Sequence, residues 1–176
     1  QQESEGNSDT VRQMAMLEEL AASVEMDPEH VLRGAMAVLG PRGRELDPGV
    51  ELYARALIAD AYQAQGQYEL ALDAARQWEA AASNFQDRVQ QAMALNSQGI
   101  SRWYLGQEAE SLTAYRTGLA LVDGRNEPDT EADILNNLGL LYYEMGDLDK
   151  ALDNFLSALR LSDETRNPSG MGHTLN

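Results

Sequence analysis

The chain has 176 residues, 43% of them apolar, enough for one continuous core and too many for a disordered chain. Its 13 basic and 29 acidic residues give a net charge of −16, a poor match for nucleic acid or an anionic membrane surface. The absence of Cys excludes disulfides, thiolate metal sites and Cys nucleophiles, and no apolar run approaches the roughly 18 residues of a membrane span.

The opening stretch, "QQESEGNSDT", is polar, aperiodic and without Met. It is expected to be a disordered tail over 1–10, left either by removal of a signal peptide or by excision from a longer protein. The compartment stays open between periplasm and cytoplasm. A degenerate helical unit is expected over 11–49, with Asp27 in "MDPEH" as an N-cap and Pro28 at the first helical position. Its Val31, Leu32, Ala35 and Val38 stand 40 residues before Ala71, Leu72, Ala75 and Trp78.

Three clear units follow at about 50–89, 90–129 and 130–169. Steps of 40 residues connect Gly66, Gly106 and Gly146, and "YYEMGDLDKALDNFLSAL" aligns without gaps on "RWYLGQEAESLTAYRTGL" and "YQAQGQYELALDAARQWE". Leu72, Leu112 and Leu152 coincide, as do Ala71, Ser111 and Ala151; Ala75, Tyr115 and Phe155; and Ala59, Gly99 and Gly139. Leu175-Asn176 repeats Leu135-Asn136 and Leu95-Asn96, so 170–176 is expected to begin a further, truncated unit.

Each unit divides into two helices. In the last, Ala132 to Glu144 carries apolar residues at helical spacing, and Gly146 ends the segment. Asp147 then caps a second helix in which Leu148, Ala151, Leu152, Phe155, Ala158, Leu159 and Leu161 repeat every three or four residues. Loops such as "DGRNEPDT" lead onward, with Pro marking the break. Gly139 and Ala151 fall where two antiparallel helices cross closely, with Leu138, Tyr142 and Phe155 filling the space around them. One hairpin cannot cover its own apolar surface, so each is expected to pack on its neighbour in an all-α stack.

These residues resemble the tetratricopeptide repeat family. Leu135, Leu138, Gly139 and Tyr142, then Ala151, Phe155 and Ala158, match its pattern in the last unit. The central unit keeps Leu95, Gly99, Ser111, Tyr115 and Gly118 but has Gln98 and Arg102 where the pattern has Leu and Tyr. The first clear unit keeps Ile58, Tyr62 and Ala71, with Ala59 for Gly, Ala75 for the aromatic and Trp78 for the small residue. The resemblance implies a right-handed α–α superhelix and a non-enzymatic module binding protein or peptide partners on its concave face. Forty-residue units with "LNNLG" also look like those of bacterial signalling proteins and peptide-binding polarity adaptors, and more loosely like sensor modules ahead of diguanylate cyclase (GGDEF) or histidine-kinase domains.

In such a solenoid the first helix of each hairpin lines the concave face. The resemblance then puts Tyr53, Ala56, Leu57, Asp60 and Gln63 inward in the first clear unit, and Met93, Asn96, Ser97, Ile100, Trp103 and Tyr104 in the central one. Asp133, Asn136, Asn137, Leu140, Tyr143 and Glu144 follow in the last. The Asn137 amide suits an extended peptide backbone, because it offers donor and acceptor together. Trp103, Tyr104 and Tyr143 read either as an apolar shelf for a partner or as packing against the next helix. Asp60, Asp133 and Glu144 favour basic partner residues, or are simply a solvated charged face. The family's Lys/Arg/Asn clamp for C-terminal carboxylates is not matched, since its positions hold Ala56, Asp60, Ser97, Asp133 and Asn137. Self-association through repeat edges and a metabolite pocket beside Trp103 and Tyr143 are the rival readings.

Catalytic, metal and cofactor signatures are missing. His30 and His173 lie far apart, and neither sits in a metal-ligand frame. "DLDKALDN" lacks the glycine and final Glu of a calcium loop, and "PSGMG" follows no strand. The many Asp/Glu pairs are expected on exposed faces with nothing to raise a pKa.

Overall fold

The computed structural model describes residues 2–41, 45–124 and 127–166. Among these, eight helices and no strand occur: α1 (Gln2–Ala21), α2 (Pro28–Leu39), α3 (Pro48–Ala64), α4 (Tyr68–Asn84), α5 (Arg88–Tyr104), α6 (Glu108–Val122), α7 (Pro128–Glu144) and α8 (Leu148–Arg166). They form an all-α solenoid of four antiparallel hairpins. Consecutive helices pack on each other throughout the row. Beyond that, α1 touches α3, α3 touches α5 and α5 touches α7, whereas no two even-numbered helices meet. A row whose odd helices close up while its even helices spread apart curves around the odd ones, which makes α1, α3, α5 and α7 the inner wall.

Two boundaries differ from expectation. α1 reaches back to Gln2, through the stretch expected to be a tail. That stretch contains no Pro to interrupt a helix. α7 begins at Pro128, one turn ahead of Ala132. Pro at the first helical position sacrifices no hydrogen bond, so the residue read as a loop marker starts the helix instead. The expected further unit at 170–176, with His173 and the "PSGMG" stretch, lies outside the described residues.

Four of the turns, those after α3, α4, α5 and α7, share one geometry. The N–H of Gln67, Asp87, Gln107 and Asp147 donates at 2.9 Å to the carbonyl of Tyr62, Ala82, Arg102 and Tyr142 respectively, five residues back. That closure needs a left-handed residue just before the donor. Gly66, Gly106 and Gly146 supply it at φ 69, 72 and 79°, and Gln86 supplies it at φ 59°. Asp27, Asp47, Asp87 and Asp147 then accept backbone N–H bonds at the starts of α2, α3, α5 and α8.

Packing at the helix crossings follows the small-residue positions. A Cβ on Gly139 would stand 2.6 Å from the Phe155 ring, and one on Gly99 would stand 2.4 Å from the Tyr115 ring. The unit without the glycine also lacks the aromatic: Ala59 and Ala75 are both fully buried there. Large buried side chains such as Leu17, Ile134 and Leu141 each contribute roughly 1.5–3 kcal/mol. One core cluster unites α1 to α4 and a second unites α5 to α8. Between them Leu52, Ala56, Trp78, Ala81, Ala82 and Ala94 join α3, α4 and α5.

Candidate functional site

The inner wall carries a groove. An open cavity of about 320 Å³ is lined from α3 by Tyr53, Ala56, Asp60 and Gln63, from α5 by Met93, Asn96, Ser97 and Ile100, and from α7 by Thr130 and Asp133. Side chains from three successive odd helices can share one cavity only on the concave side. A larger opening of about 1110 Å³ continues from it toward the turn after α1, where Val24, Glu25 and Met26 face Leu57. Tyr53, Asp60 and Gln63 belong to both. Ten inward positions expected from the sequence therefore gather here.

Some of them hold the wall together. Gln63 Nε2 lies 3.0 Å from both the Ser97 carbonyl and Ser97 Oγ, and 3.1 Å from Ser101 Oγ, which stitches α3 to α5. Asn137 Nδ2 donates to Asn96 Oδ1 at 2.9 Å and stitches α5 to α7. Each amide carries a donor and an acceptor beyond those used in this bond, the combination an extended backbone requires.

The aromatic positions separate. Trp103 is half-buried against the α5–α8 core. Tyr104 lies flat on Tyr68 of the preceding hairpin, with centroids 4.3 Å apart and planes at 4°, which makes it a bridge between units rather than a wall of the cavity. On α7, Asn136, Leu140, Tyr143 and Glu144 are exposed. Trp78 and Gln90 were missing from the expected inner residues. They line the same cavity, and Trp78 Nε1 donates to Gln90 Oε1 at 2.9 Å. The only signal for Trp78 was its bulk at a position where the other units have Gly118 and Ala158.

One electrostatic expectation is overturned in part: Asp60 and Asp133 are exposed, as expected, yet both carboxyls are raised. Asp60 keeps an open side to the groove but is otherwise surrounded by protein, and this burial raises its carboxyl to about 6. Asp133 is also raised, by burial and then by Asp129. Inner-face carboxylates do feel a perturbing environment. Among the described residues no three His, Asp or Glu side chains are grouped to hold a metal ion, and no helix is long and apolar enough to cross a membrane.

Fold and groove together define a helical-repeat solenoid. Residues 90–164 match the profile of the Tetratricopeptide repeat family, whose members generally mediate protein–protein interaction and are typically non-catalytic. A comparison with curated proteins finds no match. Among solved structures the chain is similar to BtubC (BKLC) from P. vanneervenii, with a TM-score of 0.61 and 16% identity over 97% of this chain and 77% of that one. At that identity the likeness is one of fold.

Proposed function

We propose that this protein is a non-enzymatic interaction module that holds an extended segment of a partner protein along α3, α5 and α7. The single cavity shared by side chains of these three helices carries this reading. Met93, Ile100 and Tyr53 offer apolar contact there, and the Asn96–Asn137 pair offers backbone hydrogen bonding. The length of the units favours a setting in a larger bacterial signalling protein. A random-peptide library selected on the immobilised protein tests the groove. Enriched peptides should lose binding to Met93→Arg, which fills the cavity from an exposed position. Selection that ignores this change removes the groove reading.

A second reading is association of copies through exposed repeat edges, of which α8 is one among the described residues. Leu152 is 57% exposed on α8, whereas Leu72 at the same repeat position is 6% exposed beneath the next hairpin. Leu148, Leu156 and Leu159 extend the open stripe. Light scattering should then show a dimer that Leu152→Glu returns to a single chain. A single-chain mass at high concentration removes this alternative.

A further inference from the structure

The groove's chemistry narrows the partner. Among the residues lining its two connected cavities are Glu25, Asp60 and Asp133, but no Lys, Arg or His. The ion pairs among the described residues all join side chains three or four apart, and none reaches these three acids. Asp60 and Asp133 line one concavity from helices two hairpins apart, so the fold places two negative charges around a space of mixed polar and apolar lining. Carboxylates that share such a space focus their field into it. The whole chain, at −16, repels acidic segments and attracts basic ones.

We infer that the segment held in the groove presents a cationic side chain, Lys or Arg, that enters the cavity between Asp60 and Asp133. This rests on the groove reading above and adds the charge of the occupant. Tyr53 and Met93 line the same cavity and suit the apolar stem of such a side chain, and the Tyr53 ring also attracts its charged end. Burial has already removed part of the hydration of Asp60 in the free protein, so an arriving cation meets a carboxylate that gains from being paired.

Groove-selected peptides containing a central Lys, synthesised again with norleucine or glutamate at that position, provide the probe. At pH 7.5 and low salt the Lys peptide should bind about tenfold more tightly than its norleucine counterpart, and the Glu peptide more weakly still. Asp60→Asn and Asp133→Asn should each shrink the Lys-over-norleucine ratio. Equal binding of Lys and norleucine peptides, with both still blocked by Met93→Arg, overturns the cationic occupant and leaves the groove intact. A library that enriches no peptide containing Lys or Arg overturns it as well, and failure of every peptide to bind removes both readings.

Discussion

Asn137 and Asn96 occupy neighbouring positions of successive units, and the amide of one donates to the side-chain carbonyl of the other at 2.9 Å. A residue read as waiting for a partner is thus already part of the seam between α5 and α7. Asn96→Ala or Asn137→Ala should leave helical content unchanged yet lower stability by about 1 kcal/mol, because each strands a half-buried polar group. The double variant should cost less than the two singles added together. Urea midpoints of the four proteins measure this coupling, and strict additivity would show that the two amides do not interact.

The turn between α4 and α5 has the hydrogen bonds of the α3–α4, α5–α6 and α7–α8 turns but a side chain where they have glycine. Gln86 sits at φ 59°, which L residues adopt at a cost of roughly 1–2 kcal/mol. Gln86→Gly should therefore stabilise the protein by about 0.5–1 kcal/mol, the relief being partly offset by the greater freedom of Gly in the unfolded chain. Gly106→Gln should do the reverse. Thermal melts compare the two, and a Gln86→Gly protein that melts below the parent would contradict this account of the turn.

The repeat was legible because its turn glycines and crossing residues recur at one spacing, and local chemistry alone dictates them. Gly66, Gly106 and Gly146 need no knowledge of neighbours to end a helix. Gln86 was not legible as a turn of the same kind, since nothing in its side chain favours φ > 0. The site was legible as a set of inward positions but not as a division of labour. Whether Gln63 faces a ligand or Ser97, and whether Tyr104 faces the groove or Tyr68, depends on how far one hairpin is rotated on the next. The raised carboxyl of Asp60 is of the same kind, since the cavity it lines is built from α3, α5 and α7.

Gly99 and Tyr115 make a second coupled pair. A methyl group on Gly99 would meet the ring of the fully buried Tyr115 at 2.4 Å. Gly99→Ala should cost about 1–3 kcal/mol through overpacking, and Tyr115→Ala about 3–5 kcal/mol through the cavity it leaves. The combination reproduces the Ala59–Ala75 solution of the preceding unit, so it should be less damaging than the sum. Denaturant unfolding of the three variants decides the matter. A double variant that loses the full sum would show that the two sites do not share a contact.

Asp60 gives the stability of the fold a pH signature. Its carboxyl rises from 3.8 to about 6 because burial disfavours the charged form. Between those values the folded chain keeps a proton that the unfolded chain has released. The stability this group confers is therefore complete below about pH 4 and lost as pH climbs through about 6. The other titratable groups lining its cavities, Tyr53 on α3, Glu25 in the turn after α1 and Asp133 on α7, bring no positive charge to offset that loss. Asp60→Asn removes the charged form altogether. It should match the parent near pH 4 and exceed it above pH 6 by about 1 kcal/mol, well short of the full equivalent of the shift because water screens the open side of the carboxylate. Urea midpoints at pH 4 and pH 7.5 check this. An Asp60→Asn protein equally stable to the parent at both would mean that the carboxylate is solvated in the groove and carries no burial penalty.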